Sequence, residues 1–219
     1  MLIPALPKVY DLFSENGWSY ETKQLFVENL LLSTNRKGID KVIEFLKNTD
    51  FYYAPASTNY HSNMKYGLVN HSILVYAAAM EYKKSMCAID PTVEDRLPDD
   101  SIAIATILHD ICKCCFYKET TKWRKDSNGQ WESYVGYEVV DTFPIGHGEK
   151  SVIMLQNLGL ELNVEEMLAI RYHMGLFGDG GQELRLSQAQ ACRDCALVPL
   201  LQMSDYSASM VMEPTIKNK

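Results

Sequence analysis

The sequence predicts an all-α fold with one small inserted β-hairpin. Apolar side chains recur at spacings of three and four residues along most of the chain, which is typical of amphipathic helices. Strand-like alternation is confined to residues 116–142, on either side of the turn signal Asp126-Ser127-Asn128-Gly129. A chain of 219 residues buries roughly 70% of the surface that its unfolded form exposes, which indicates one sizeable core rather than two full domains.

The N-terminal part of the chain predicts three amphipathic helices, at about residues 4–15, 20–32 and 38–48. We expect residues 1–50 to form a helical extension that packs on a main domain formed by residues 51–219. The first residues lack the features of a secretion signal, and no later stretch approaches the ~18 apolar residues of a membrane span. A cytoplasmic location without membrane association is therefore expected.

The middle of the chain predicts two helices that each turn a histidine toward the core. Aromatic and proline residues at 51–57 interrupt the helical period and indicate an ordered loop. On the helix predicted at 68–86, His71 shares a face with apolar residues. The helix predicted at about 101–113 likewise places His109 on its apolar side, so both imidazoles should be buried.

The later helices carry further polar residues at their ends or on their apolar faces. His147 begins one helix, and a capping-box pattern at 163–166 starts another helix that ends at His173. A last helix, predicted at about 187–212, leaves the Asp205 carboxylate on an apolar stripe, where it needs a partner.

Two segments between these helices offer contacts to a substrate. The hairpin follows the His109 helix directly, and its aromatic and cationic side chains could overhang a site there. We assign Lys122 to substrate binding, with a solvent-exposed structural hairpin as the alternative. The glycine-rich run at 175–181 predicts a loop, with a substrate lid as its alternative.

The composition argues against some classes of protein. Lys plus Arg total 21 against 28 for Asp plus Glu, a net charge of −7, which counts against an extended nucleic-acid-binding surface. Six cysteines include the pairs Cys112/Cys115 and Cys192/Cys195, so a four-cysteine zinc site has to be considered. Both pairs fall in helical patterns without the turn residues of a zinc knuckle, which favours reduced, mostly buried thiols.

The order of the histidines and of two aspartates points to chemistry. Four of the five histidines, with two aspartates, form the series His71, His109-Asp110, His147, His173, Asp205. Each residue alone has a structural explanation, since buried histidines often bond to backbone carbonyls. Together they predict a shared centre for one or two divalent transition-metal ions. Imidazole nitrogen and carboxylate oxygen suit Mn, Fe, Ni, Co or Zn.

This order resembles that of the HD-domain superfamily, which is named for its His-Asp doublet. The surrounding motifs are similar to those of small bacterial and phage HD hydrolases and of the HD domain of bacterial 3′–5′ exoribonucleases. These motifs are Ala54-Pro55-Ala56, His61, Gly67-Leu68, His71-Ser72, Phe143-Pro144-Ile145-Gly146-His147-Gly148 and Ile170-Arg171-Tyr172-His173-Met174. The resemblance covers roughly residues 40–212 and implies an HD-domain helical bundle.

The resemblance also implies a ligand set for two ions. It assigns His71, His109, Asp110 and Asp205 to one ion and His147 and His173 to the other, with Asp110 bridging both. The usual His-Asp-Ile-Gly-Lys motif has a cysteine in place of its glycine here, at Cys112, so a thiol stands beside the ligands. The separate N-terminal nucleic-acid-binding domain of the exoribonucleases has no counterpart in residues 1–50, which counts against processive RNA degradation.

The expected function is metal-dependent hydrolysis of a phosphoester, in a nucleotide or short oligonucleotide. Asp110 and Lys113 are the expected catalytic residues. Lys113 follows the doublet by one turn, so it can stabilise developing negative charge. Arg171, His61 and Lys122 are expected to contact the substrate. A surface lysine and a solvated or salt-bridged arginine are the structural alternatives for Lys113 and Arg171. Two other functions share the ligand set: a mixed-valent di-iron oxygenase and a non-catalytic nucleotide-binding sensor.

Overall fold

Helices form most of the computed structural model, which describes residues 5–175 and 181–214. In chain order they are α1 (Val9–Phe13), α2 (Tyr20–Ser33), α3 (Ile39–Asn48), α4 (Gly67–Ile89), α5 (Val93–Arg96), α6 (Asp99–Leu108), α7 (His147–Asn157), α8 (Val164–Tyr172), α9 (Gln182–Asp194) and α10 (Leu197–Ser207). A 3₁₀ turn, Ile111–Lys113, follows α6, and a π-helical turn, Ala208–Met212, follows α10.

The strands of the described residues form a single antiparallel hairpin between α6 and α7. Strand β1 (Tyr117–Lys125) pairs with strand β2 (Trp131–Val139), with Tyr117 opposite Val139 and Lys125 opposite Trp131. A mostly helical fold with one small inserted hairpin is therefore confirmed. None of the helices that the described residues form is both long and apolar enough to cross a membrane.

One hydrophobic core joins the N-terminal helices to the later ones. Phe26 on α2, Val42 on α3 and Leu68 on α4 are fully buried in the same cluster as Ile104 and Leu201. Burying one such side chain contributes ~1.5–3 kcal/mol, so α2 and α3 add substantially to the stability of the shared core. Helix α4 packs on α6 and α10, and α8 packs on α6, α7 and α10. Polar residues on these five helices therefore come close to one another.

The predicted last helix, at 187–212, is broken into α9 and α10. The break falls at Cys195, whose backbone is extended. Pro199 lies in the first turn of α10, where backbone N–H groups have no partner within the helix. A proline in the middle of one long helix would instead remove a helical hydrogen bond. Helix α6 also ends earlier than expected, at Leu108, and the 3₁₀ turn after it carries Lys113.

A buried carboxylate ties the N-terminal part of the chain to α6 and α8. Glu166 forms the predicted capping box, because its carboxylate accepts the Asn163 N–H at 3.0 Å while the Asn163 side chain accepts the Glu166 N–H at 2.8 Å. The fully buried Glu166 carboxylate also accepts from Arg36 and Ser101, both at 2.7 Å. Arg36, which lies between α2 and α3, contacts Asp100 at 2.8 Å as well. These charge-assisted bonds fix α8 relative to the N-terminal helices.

Candidate metal centre

Three helices bring three histidines together. His71 lies on α4, His109 directly follows α6 and His173 directly follows α8. All three side chains are buried. The Nε2 atoms of His71 and His109 are 3.1 Å apart, and the ring centroids of His109 and His173 are 4.8 Å apart. These three imidazoles form the centre of the candidate site.

Local helix structure orients two of these imidazoles. His109 and His173 occupy C-cap positions, where the last carbonyls of a helix have no partner within it. Each ring donates its Nδ1–H to the carbonyl three residues earlier, at 2.8 Å and 2.7 Å. His71 instead donates its Nδ1–H to the Glu213 carboxylate at 2.6 Å. With Nδ1 holding a proton for these partners, Nε2 carries a lone pair whenever the ring is neutral, so each of the three rings can offer a metal ligand.

Two carboxylates complete the cluster. Asp110 Oδ2 lies 3.4 Å from His109 Nε2 and 3.6 Å from His71 Nε2, and Asp110 Oδ1 lies 3.5 Å from His173 Nε2. Asp205 Oδ1 lies 3.3 Å from His71 Nε2. Two groups result, His71-His109-Asp110 and His109-His173-Asp205, and within each the ligand atoms lie within 4.8 Å of one another.

These residues fit a transition-metal ion. Their donors are imidazole nitrogens and carboxylate oxygens, which such ions accept. Asp110 Oδ1 is a buried oxygen without a hydrogen-bond partner. Buried polar atoms seldom lack a hydrogen-bond partner, and a bound ion would provide a partner for Asp110 Oδ1.

The charges of the cluster hold one another in their ionised forms. Burial opposes protonation of His71, but Glu213 and Asp205 outweigh it and raise the pKa of His71 to about 10. Burial also opposes ionisation of Asp110, yet Lys113 and the neighbouring histidine hold the pKa of that carboxyl well below its usual range. The pKa of Asp205 is lowered as well, because its bond to His71 outweighs its burial. An ion that binds near pH 7 therefore displaces a proton from His71.

His147 lies apart from the two ligand groups. It begins α7, it is half-buried, and its Nδ1 is 3.7 Å from the Cys112 sulfur. Its ring also contacts Phe116, with centroids 5.8 Å apart. Burial lowers its pKa, although the Asp110 charge opposes the shift. Among the described residues the structure does not bring His147 and His173 into one ligand group, so the second ion implied by the resemblance stays a prediction.

The centre opens onto a cavity of about 870 Å³. The polar residues on its wall include Asp110, Lys113, His173, Asp205 and His61. The Lys113 ammonium is buried and contacts Asp110 Oδ2 at 2.7 Å. Burial lowers the Lys113 pKa, but Asp110 outweighs this effect and raises it above its usual range. Lys113 is therefore a protonated cation beside the candidate ligands rather than a surface lysine.

His61, one of the predicted substrate contacts, also lines the cavity. Its ring centroid is 5.0 Å from that of His71, and its buried Nε2 has no hydrogen-bond partner. Burial and the His71 charge lower the pKa of His61 to about 4. A neutral imidazole with one free nitrogen therefore faces the candidate ligands.

Arg171 and Lys122, the other predicted substrate contacts, are not on the cavity wall formed by the described residues. Arg171 contacts Glu149 at 3.0 Å and lies over the Tyr172 ring at 4.5 Å, as the structural alternative expects. Lys122 lies on β1 opposite Tyr134. The predicted glycine-rich lid falls largely outside the described residues, which omit 176–180.

Sequence reasoning missed Glu213. This carboxylate is buried and accepts from His71 Nδ1 at 2.6 Å and from the Ser62 hydroxyl at 2.5 Å. His61, His71 and Glu213 form a further group of possible ligand atoms. A glutamate directly after the apolar turn Ala208–Met212 was the available signal, but its partners lie far away in the sequence.

Cysteines take no part in the ligand groups found among the described residues. All six thiols are free, and those of Cys112, Cys114 and Cys195 are buried. The structure therefore gives no support to the alternative of a four-cysteine zinc site.

No protein-family model, no curated protein and no solved structure matches this chain. The residues of the candidate centre and their geometry are therefore the basis for a proposed function.

Proposed function

We propose that this protein is a metal-dependent phosphohydrolase of the HD-domain type. One observation carries the proposal: three imidazoles and two aspartates form one cluster, and Asp110, Asp205 and His173 of this cluster line an open cavity beside a buried lysine. A purely structural histidine cluster would be expected to have all its buried polar atoms hydrogen-bonded and to be closed to solvent. Here Asp110 Oδ1 has no hydrogen-bond partner, and the cluster borders a cavity.

The residues have separate roles in this proposal. His71, His109, Asp110 and Asp205 would hold one ion, and His173 with His147 would hold a second. A bound divalent ion supplies Lewis acidity and lowers the pKa of water toward ~7. Glu213 and the two backbone carbonyls accept from the histidine Nδ1–H groups and so direct the Nε2 atoms toward the ion.

Lys113 would act on the phosphoryl group. In hydrolysis a water adds to phosphorus, the ester P–O bond breaks, and a proton goes to the departing alcohol oxygen. Negative charge grows on the oxygens of the phosphoryl group during this step. The Lys113 ammonium lies beside Asp110 on the cavity wall, so it can donate a hydrogen bond to such an oxygen. As a protonated amine it cannot ligate a metal ion itself.

The proposed substrates are nucleotides or short oligonucleotides, as the resemblance to HD hydrolases implies, and the proposed location is the cytoplasm. The net charge of −7 makes an extended nucleic-acid surface a poor expectation, since phosphate backbones bind to basic surfaces.

The test begins with protein stripped of metal by a chelator. We expect it to hydrolyse p-nitrophenyl phosphate, bis(p-nitrophenyl) phosphate or nucleoside monophosphates only after Mn, Fe, Ni, Co or Zn is added, at equal rates with and without O2. Elemental analysis should find one to two ions per chain. Asp110→Asn should lose both metal and turnover, while Asp40→Asn, an exposed change on α3, serves as the matched control.

Three outcomes would contradict the proposal. Turnover that requires both iron and O2 would identify the oxygenase chemistry instead. Tight nucleotide binding without turnover under any metal would identify a sensor. Failure to take up any of these metals would remove the premise altogether.

A further inference from the structure

We infer that the substrate is a phosphate ester whose organic part is apolar, an alkyl or aryl group rather than a polyhydroxylated one. The inference rests on the proposed phosphohydrolase function, because it takes the ligand cluster as the place where the phosphoryl group binds. It concerns the rest of the cavity, which the mechanism does not use.

The cavity has two chemically different parts. The charged and imidazole groups of the wall contact one another or the candidate ligand His71, and they define the polar end of the cavity. The remaining wall is rich in large apolar side chains: Tyr60, Met174, Met203, Tyr206 and Met210. All five are exposed, with Met203 and Met210 at 45% and 60%. Exposed apolar side chains grouped around a functional cavity mark a ligand surface.

Two polar side chains of this wall, Gln202 and Ser209, are already engaged within the protein. The Gln202 amide donates to the Tyr172 carbonyl at 2.7 Å, and the Ser209 hydroxyl donates to the Tyr206 carbonyl at 3.3 Å. A sugar or glycerol group placed here would lose water without gaining hydrogen bonds from these two side chains. Methionine side chains, by contrast, adapt to apolar groups of varied shape and pack well against aromatic rings.

Charge gives the orientation of the substrate. Lys113 is the single lysine or arginine on the cavity wall formed by the described residues. It lies next to Asp110, at the end where the ligands meet. A phosphoryl group would therefore bind at that end, and its ester group would extend along the methionines and tyrosines. The volume of about 870 Å³ is ample for a six-carbon chain or a phenyl ring.

Binding of non-hydrolysable phosphonates tests the inference without relying on turnover. We would titrate hexylphosphonate, phenylphosphonate and 2,3-dihydroxypropylphosphonate into Mn-loaded protein by calorimetry. We expect the hexyl or the phenyl compound to bind at least about tenfold more tightly than the dihydroxypropyl compound, because apolar burial favours them. Comparison of the hexyl with the phenyl compound then distinguishes a preference for an alkyl group from one for an aryl group.

Variants locate the preference on the apolar wall. Met203→Gln and Met210→Gln keep the length of the side chain and lie on exposed positions, so the fold should be retained. Each should weaken binding of the preferred phosphonate about threefold or more and leave the dihydroxypropyl compound unaffected. Val211→Gln is the matched control, since Val211 neighbours Met210, is 77% exposed and does not line the cavity.

The outcomes separate this inference from the proposed function. Equal or tighter binding of the dihydroxypropyl compound, or methionine variants that behave like the Val211 control, would overturn the inference even if phosphoesters are hydrolysed. An apolar preference that depends on Met203 and Met210 supports it. If that preference is found while no phosphoester is hydrolysed, the apolar ligand surface stands and the proposed hydrolase function fails.

Discussion

Glu213 should control the affinity of the centre for metal, although it need not touch the ion. Its carboxylate accepts from His71 Nδ1 at 2.6 Å and from the Ser62 hydroxyl at 2.5 Å. The first bond fixes the imidazole in the form whose Nε2 can ligate, and the negative charge makes that nitrogen more basic. We would therefore replace Glu213 by glutamine and by alanine.

The two variants should differ in a way that the geometry dictates. A glutamine carbonyl can still accept from His71 while its amide donates to a reoriented Ser62 hydroxyl, so only the charge is lost. Alanine removes both acceptors and leaves the His71 ring without a partner. Loss of a partner of a metal-ligating histidine typically costs ~10–100-fold in metal affinity. We expect about tenfold, or ~1.4 kcal/mol, for Glu213→Gln and nearer to 100-fold for Glu213→Ala.

Competition with a fluorescent chelator measures the affinity for Mn and Zn, and circular dichroism melts check that each variant is folded. Glu44→Gln on α3 is exposed and serves as the control. Wild-type metal affinity in folded Glu213→Ala would refute the role assigned to this carboxylate, and with it the reading of the His71 tautomer.

The remaining predictions concern charge, stability and thiol reactivity. Lys113→Ala should retain its fold and metal but lose ~10²–10³ in kcat, with partial rescue by arginine, whereas an unchanged kcat would leave Lys113 with no part in the reaction. Glu166→Ala should lower the free energy of unfolding by about 3 kcal/mol, because it leaves a partly buried guanidinium and a capping box without their carboxylate. The neighbouring exposed Glu165→Ala should change it little, and equal urea midpoints for the two would contradict the prediction. Native protein at pH 8 should react with iodoacetamide first at the exposed Cys115, while burial raises the pKa of Cys112 to about 12 and should protect it until unfolding. Peptide mass spectrometry showing the reverse order would disprove this.

The sequence predicted much of the candidate centre because its members lie within a helix or directly after one. The spacing of apolar residues predicted that His71 and His109 point toward the core, and the end of a helical pattern located His173. These three rings and two aspartates meet as one cluster in the structure. Membership of the HD superfamily, the reaction and the bound metal remain predictions.

Other features depend on contacts that no local pattern encodes. Glu213 reaches His71 from 142 positions away, and nothing near either residue signals the pair. His147 also fits a helix start as predicted, yet its distance from His173 depends on how α7 packs against α8. The methionines and tyrosines of the cavity wall, such as Met203 and Tyr206, fit the pattern of an ordinary amphipathic helix. The sequence does not show that they line a cavity, because the opposite wall comes from distant residues.

The two C-cap histidines have a consequence for how this centre can change. His109 and His173 take their ring orientation from carbonyls of their own helices. No side-chain substitution removes a backbone carbonyl, so the orientation of these two candidate ligands should survive most point mutations. His71 depends instead on a replaceable side chain at position 213. Laboratory evolution toward a different metal preference would therefore find its most direct route at the end of the chain, at a residue that could vary while every ligand stays in place.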